Sequence, residues 1–196
     1  MDDAAGERIE KLLEKLVAQQ SELSLRIARL ESEGDDASVE ESRAGRERVL
    51  RFLDEFRAGE ALGELSLGAW IAVCTDPRLR GELRTVAARE GSHARLLRER
   101  MRELGGAPRY EVPEDTYAQV LASSSSTERS DAEKVRDFTR RFPDPDAALA
   151  PILRFADSLG DDPETQSLLR SIAQDERATL ELFYAAEARF AGGEGG

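Results

Sequence analysis

The chain has 196 residues, a length that suits one full-sized domain with an appendage and is too short for two large domains. Acidic residues outnumber basic ones by 40 to 28, and the net charge of -12 argues against nucleic acid as a partner, because phosphate binding needs clustered lysine and arginine. No apolar run approaches the roughly 20 residues of a membrane helix, and the first residues lack the features of a signal peptide, so we expect a cytoplasmic protein without a membrane partner.

The first predicted element is a helix over residues 6–33 with the heptad spacing of a coiled coil. Its inner positions are Ile9, Leu13, Leu16, Gln20, Leu23, Ile27 and Leu30. Such a helix has an apolar seam that must be covered, and two alternatives stay open. It packs on its own chain, or it joins copies into a homo-oligomer. The polar residues 34–46 predict a hinge, so residues 1–40 are assigned to a separate coiled-coil segment.

Two helices with a very short connection follow, over residues 46–74 and 77–104. Asp76 has the position of an N-cap and Pro77 that of a first-turn proline, so the second of these helices begins almost immediately. Gly105 and Gly106 end it. A connection this short predicts that the two helices are antiparallel neighbours.

The second half is predicted to contain a long crossover and two further helices. The predicted segments are a crossover over residues 107–127 with a short helix within 114–121, a helix from 130 that Pro143 and Pro145 interrupt before it continues over 146–159, a last helix over 163–190, and a disordered tail over 191–196. A crossover of this length is sufficient to span the long axis of a helical bundle.

The third and fifth predicted helices are versions of one sequence. Aligning Asp76 with Asp162 also aligns Glu90 with Glu176, and proline, leucine, arginine and alanine positions between them recur. Two copies of one helical hairpin predict an all-α fold, an antiparallel four-helix bundle over residues 46–190. In this register Asp146 corresponds to Glu60, and Thr179 corresponds to His93.

Four chemically active residues occupy inward positions of these helices, between apolar residues one turn away on either side. They are Glu60, Glu90, His93 and Glu176. A buried carboxylate costs several kcal/mol unless it is paired, protonated or bound to a metal. No lysine or arginine occupies an inward position near these four residues. Oxygen and nitrogen ligands of this kind suit iron, manganese or zinc.

Glu90 and His93, in the tetrapeptide EGSH, form a Glu-x-x-His motif that resembles the ferritin-like superfamily, in particular rubrerythrin-type proteins. The resemblance covers residues 46–190 and implies a di-iron centre held by two glutamates and two such motifs. Glu60 resembles the glutamate of the preceding helix. In the second half Glu176 is kept, Thr179 replaces the second histidine, and Asp146 or Asp144 replaces the opposing glutamate. Water, a single metal ion or loss of the metal are the alternatives to a symmetric pair of ions.

Two functions are compatible with this sequence. The resemblance implies a metal-carboxylate protein that handles iron, oxygen or peroxide, with Glu60, Glu90, His93, Glu176 and Asp146 as metal ligands. The alternative is a non-catalytic interaction or oligomerisation protein that retains a relic of the metal site. In that case the homo-oligomer would form through the N-terminal coiled coil or through faces of the bundle, and the sequence does not identify any partner protein.

Overall fold

The structure is a computed structural model that describes residues 38–193. The chain divides into two compact units, residues 1–41 and 42–196, and the description below concerns the second unit. The predicted coiled-coil helix and most of the predicted hinge lie outside the described residues. Within residues 38–193, no helix combines the length and the apolarity that crossing a membrane requires.

The described part of the chain is all-α, as the sequence predicts, and contains six helices and no strand. They are α1 (Ser38–Val73), α2 (Pro77–Glu103), α3 (Glu114–Ser125), α4 (Asp131–Arg141), α5 (Pro145–Asp157) and α6 (Pro163–Gly193). Two predicted boundaries were wrong. Helix α1 begins at Ser38 rather than at residue 46, so the end of the predicted hinge is helical. Helix α6 continues to Gly193, into the segment predicted to be a disordered tail.

Helices α1 and α2 form an antiparallel hairpin, as their short connection predicts. The Asp76 carboxylate accepts a hydrogen bond from the Leu79 backbone N–H at 2.6 Å and caps α2, and Pro77 occupies its first turn. Glu60 bonds His93, whereas Gly63, further along α1, lies against Glu90, earlier in α2. Advancing along one helix therefore means going back along the other.

The end of α2 is a Schellman motif. Gly105 has a φ of 76°, a left-handed conformation that favours glycine, and the Gly106 N–H bonds the Met101 carbonyl at 2.8 Å. The crossover that follows is held by Asp54 of α1, whose carboxylate accepts hydrogen bonds from the backbone N–H groups of Arg109 and Tyr110 at 2.6 and 2.7 Å. A buried acid of α1 thus determines where the crossover begins.

The second half contains the break that its prolines predict. Helix α4 starts with a capping box between Ser130 and Glu133, and it ends at Arg141. Asp144 caps α5, which starts at Pro145. Helix α6 starts at Pro163 after Asp162, whose carboxylate accepts a hydrogen bond from the Thr165 N–H. Asp76 and Asp162 therefore begin their helices in the same way, as the repeat predicts.

The core lies between α1, α2, α4, α5 and α6. One apolar layer surrounds the single tryptophan, and its members are Trp70, Cys74, Leu79, Leu83, Val86, Val135, Phe183 and Ala186. A second layer, toward the other end of the helices, contains the stacked rings of Phe52 and Phe155, 3.8 Å apart, together with fully buried Leu53, Leu97 and Leu169. The inward glutamates and histidine lie in the stretch of each helix between these layers, where apolar packing gives way to polar groups.

Candidate metal centre

His93 and Glu60 form a buried pair across the α1–α2 hairpin. His93 is 2% exposed and Glu60 is 5% exposed, and His93 Nδ1 lies 2.9 Å from Glu60 Oε2. The pair is buried because His93 lies on the inner face of α2, between Val86 and Leu97. Both of these residues are almost fully buried. The positions predicted from helical periodicity therefore do face the interior, and they meet.

Glu176 brings a second carboxylate to the same imidazole, from α6. Its Oε1 lies 3.4 Å from His93 Nδ1, and one donor atom from each of Glu60, His93 and Glu176 lies within 4.8 Å of the other two. Nδ1 carries at most one hydrogen, and the shorter contact with Glu60 takes it. Glu176 Oε1 is consequently buried without a hydrogen-bond partner. This oxygen has an ionic contact with the imidazole and remains free to accept a hydrogen bond or to bind a metal ion.

Asp175 holds the other side of the imidazole, and sequence reasoning missed it. His93 Nε2 lies 3.2 Å from Asp175 Oδ2, and the aspartate side chain is half exposed. Metal-binding histidines usually donate their second N–H to a carboxylate in this way, which orients the ring. Helical periodicity did not select Asp175, because Asp175 is one position away from the inward-facing residues of α6. Its place directly before the inward Glu176 was the available clue.

Glu90 adjoins the cluster without belonging to the group of three. Its side chain lies over the backbone of Gly63, where a Cβ would collide with Glu90 Oε2, so the absence of a side chain on α1 makes the room that this carboxyl occupies. The charge of Glu60 raises the pKa of Glu90, so the two carboxyl groups are close enough to interact. The predicted Glu-x-x-His pair is therefore present, with His93 at the centre of the three donor atoms and Glu90 beside them.

The electrostatics of the cluster favour shared protons when no cation is bound. Burial raises the pKa of Glu60, and burial together with the charges of Glu60 and Glu176 raises the pKa of Glu90 well above its ordinary value. Burial by itself lowers the pKa of His93, but the carboxylates of Glu176, Glu60 and Asp175 outweigh it and raise the pKa to about 10. The metal-free cluster therefore contains an imidazolium, and the surroundings of Glu90 favour its protonated form.

Asp146 is not brought to this cluster. Its side chain is 82% exposed and pairs with Arg177 at 2.5 Å, in the first turn of α5. Asp144 is occupied as the cap of α5, where it accepts from two backbone N–H groups. The physical reason is the proline break, which starts a new helix at the level where an inward acid was predicted. Thr179 is buried as the register predicts, and its Oγ1 has no hydrogen-bond partner among the described residues.

The arrangement can do two things chemically. It can hold a proton between carboxyl groups, or it can offer two carboxylate oxygens and one imidazole nitrogen to a cation. Bonds of about 2.1 Å to a metal ion place neighbouring donor atoms about 3 Å apart, which agrees with the 2.9 and 3.4 Å separations around Nδ1.

No model of a known protein family matches this sequence, and no curated protein matches it closely enough to count as a relative.

Proposed function

We propose that residues 46–190 form an antiparallel four-helix bundle of the ferritin-like kind, which binds a divalent metal ion through Glu60, His93 and Glu176. The observation that carries this proposal is the convergence of three donor atoms within 4.8 Å between apolar layers, on three different helices. Antiparallel pairing of α1 with α2, and of α5 with α6, supports the bundle, since Arg170 pairs with Asp157 and Arg177 pairs with Asp146.

The residues present fit such an ion. Two carboxylates and one imidazole are ligands that iron, manganese and zinc accept. The buried and unpartnered Oε1 of Glu176 would gain a bond, and Asp175 would hold the Nε2 hydrogen so that Nδ1 faces the ion. Glu90 would be a fourth oxygen ligand beside Glu60. Iron in this position would supply one-electron chemistry toward oxygen or peroxide, which is the role that the family resemblance implies.

The protein's own residues would move protons when the ion enters. His93 has both ring nitrogens protonated in the metal-free cluster, because each faces a carboxylate and its pKa is about 10. Binding at Nδ1 requires that proton to leave, and Glu90 would also have to lose its proton to bind as a carboxylate. Metal binding should therefore release protons.

A second function is supported by a specific observation. Thr179 takes the place of a second histidine, and Asp146 forms a surface ion pair, so within residues 38–193 Glu176 is the one member of the three-donor group that comes from the second half. In this reading the cluster is a relic network of shared protons, and the protein is a cytoplasmic interaction or oligomerisation protein. The predicted coiled coil over residues 6–33 would join copies into a homo-oligomer, and that helix lies outside the described residues.

The deciding experiment measures metal binding to protein purified without a histidine tag and stripped with a chelator. We expect manganese, zinc or anaerobic ferrous iron to raise the melting temperature, since an ion present at 100 times its dissociation constant stabilises by about 2.7 kcal/mol. Glu176→Gln and His93→Ala should abolish the rise, and Thr179→His should increase it by adding an imidazole. Glu181→Gln is the matched control, because Glu181 is an exposed acid of the same helix.

The proposal fails if none of the three metals shifts the melting temperature and Glu90→Gln makes the metal-free protein more stable. That result would establish the relic network, since removing a repelling carboxyl then has only a favourable effect. A metal-dependent rise that is the same in Glu176→Gln and in the wild type would contradict the assignment of the ligands.

A further inference from the structure

A groove of about 560 Å³ runs along one face of α2 and opens beside His93. Its wall includes residues at successive turns of α2, and α6 contributes Asp175. The residues that matter chemically are Arg84, Arg89, Ser92, His93, Leu96 and Asp175. This groove is on the outer side of the His93–Asp175 contact, whereas Glu60 and Glu176 are on the inner side of the ring. It is therefore a separate space from the three-donor cluster.

Two arginines give the groove a positive wall. Among the described residues, neither Arg84 nor Arg89 takes part in an ion pair, and Arg89 Nη1 is buried without a hydrogen-bond acceptor. By contrast, Arg78 and Arg100 of the same helix both pair with glutamates. An oxyanion in the groove would bond the guanidinium groups that line it through charge-assisted hydrogen bonds, which are stronger than neutral ones. Arg84 and Arg89 thus bring two guanidinium groups to one concave surface of a protein whose net charge is -12.

The one acid in the groove does not cancel this charge. Asp175 is the single carboxylate against two arginines in the lining, and it is already bonded to His93 Nε2. The rest of the lining has an apolar part, formed by Leu96, which is 44% exposed, and by Ala88 between the two arginines, and a polar part formed by Thr85 and Ser92. A ligand that fits must therefore combine an oxyanion with a small apolar body.

We propose that this groove binds a small organic anion, a carboxylate or phosphate whose charged group bonds Arg89 and Arg84 and whose apolar part covers Leu96. Ser92 provides a hydroxyl on the same face of α2. The site takes its ligand whether or not a metal ion occupies the cluster behind His93, so it stands independently of the metal proposal. With a metal bound, the ligand would lie next to the histidine that holds the ion.

The test is a titration of isotope-labelled, chelator-treated full-length protein, followed by backbone amide NMR shifts at constant ionic strength. The probes are benzoate, phenyl phosphate and the neutral benzamide. We expect saturable shifts confined to residues 84–96 and the neighbourhood of Asp175 for at least one anion, and at least tenfold weaker binding of benzamide. The tighter of the two anions identifies whether the charged group is a carboxylate or a phosphate.

Matched variants of α2 separate the site from general charge effects. Arg89→Gln and Arg84→Gln should each weaken anion binding by about tenfold, the effect of losing one charge-assisted hydrogen bond. Arg95→Gln removes an exposed arginine of the same helix outside the groove and should leave binding unchanged. The inference is overturned if neither anion shifts these amides, if benzamide binds equally well, or if Arg95→Gln weakens binding as much as Arg89→Gln. Circular dichroism confirms that each variant is folded.

Discussion

Replacing Asp131 by asparagine should destabilise the protein strongly, although no sequence pattern marks this residue. Its carboxylate is 8% exposed and joins three segments at one end of the helices. Oδ1 accepts the Trp70 indole N–H at 2.8 Å. Oδ2 accepts the Thr75 N–H and hydroxyl at 2.7 and 2.8 Å and the Asp76 N–H at 3.1 Å. Every one of these partners is a donor, so both oxygens are required.

The magnitude follows from these contacts. In Asp131→Asn the amide oxygen can face the three donors on the Thr75 side, and the amide NH2 then points at the buried indole N–H. Leaving one buried donor unpaired costs about 1–3 kcal/mol. The bonds that remain lose their ionic character and about half of their strength. We therefore expect a loss of about 3 kcal/mol in the free energy of unfolding, large against a typical total of about 5–15 kcal/mol.

The pH dependence of this effect has a definite sign. Burial raises the pKa of Asp131, but hydrogen bonds from Trp70, Thr75 and Asp76 outweigh burial and hold the pKa below its ordinary value of 3.8. A carboxyl whose pKa is lowered by folding contributes stability above its unfolded pKa, and that contribution is lost as the pH falls through the folded pKa. The difference between wild type and Asp131→Asn should be constant near neutral pH and should shrink below about pH 4.

Urea unfolding followed by far-UV circular dichroism at several pH values measures both effects. Asp161→Asn is the control, because Asp161 is exposed and makes no hydrogen bond among the described residues. It should stay within about 0.5 kcal/mol of wild type. A loss below about 1 kcal/mol in Asp131→Asn at neutral pH, or a difference that grows on acidification, would refute the reasoning.

Three further predictions concern backbone and ion-pair positions, each measured by urea unfolding. Gly68→Ala, where an added Cβ meets nothing, should stabilise α1 by about 0.5–1 kcal/mol, whereas Gly63→Ala should gain less and weaken any metal-induced stabilisation, because its Cβ displaces Glu90. Equal gains in the two variants would contradict this. Gly105→Ala should cost about 1 kcal/mol because of its φ of 76°, and an unchanged midpoint would count against the Schellman motif. Arg100→Met should cost about 1–3 kcal/mol, since its guanidinium bonds Asp162 and three other side chains, and high salt should reduce that loss.

The helices and their inward faces could be predicted because both depend on local chemistry. Caps and prolines mark helix starts through the backbone groups within one turn, and Asp76 with Pro77 illustrates this. Periodicity places Leu83, Val86 and Leu97 inside, and all three are buried. The boundary of α1 was missed because the polar residues from Ser38 onward carry no apolar pattern, although glutamate and arginine are good helix formers.

Within the candidate site, the sequence by itself determined which residues point inward, and the tertiary structure decided which of them meet. Glu60, His93 and Glu176 converge because α6 packs against the α1–α2 hairpin with these three residues at the same height, and no local rule specifies that height. Asp175 joins them from a position beside the stripe, and Asp146 is absent because the proline break turns it to the surface. Periodicity specifies the direction of a side chain around its own helix axis. The distance between side chains on different helices depends on long-range packing, and the chemistry of the cluster depends on that distance.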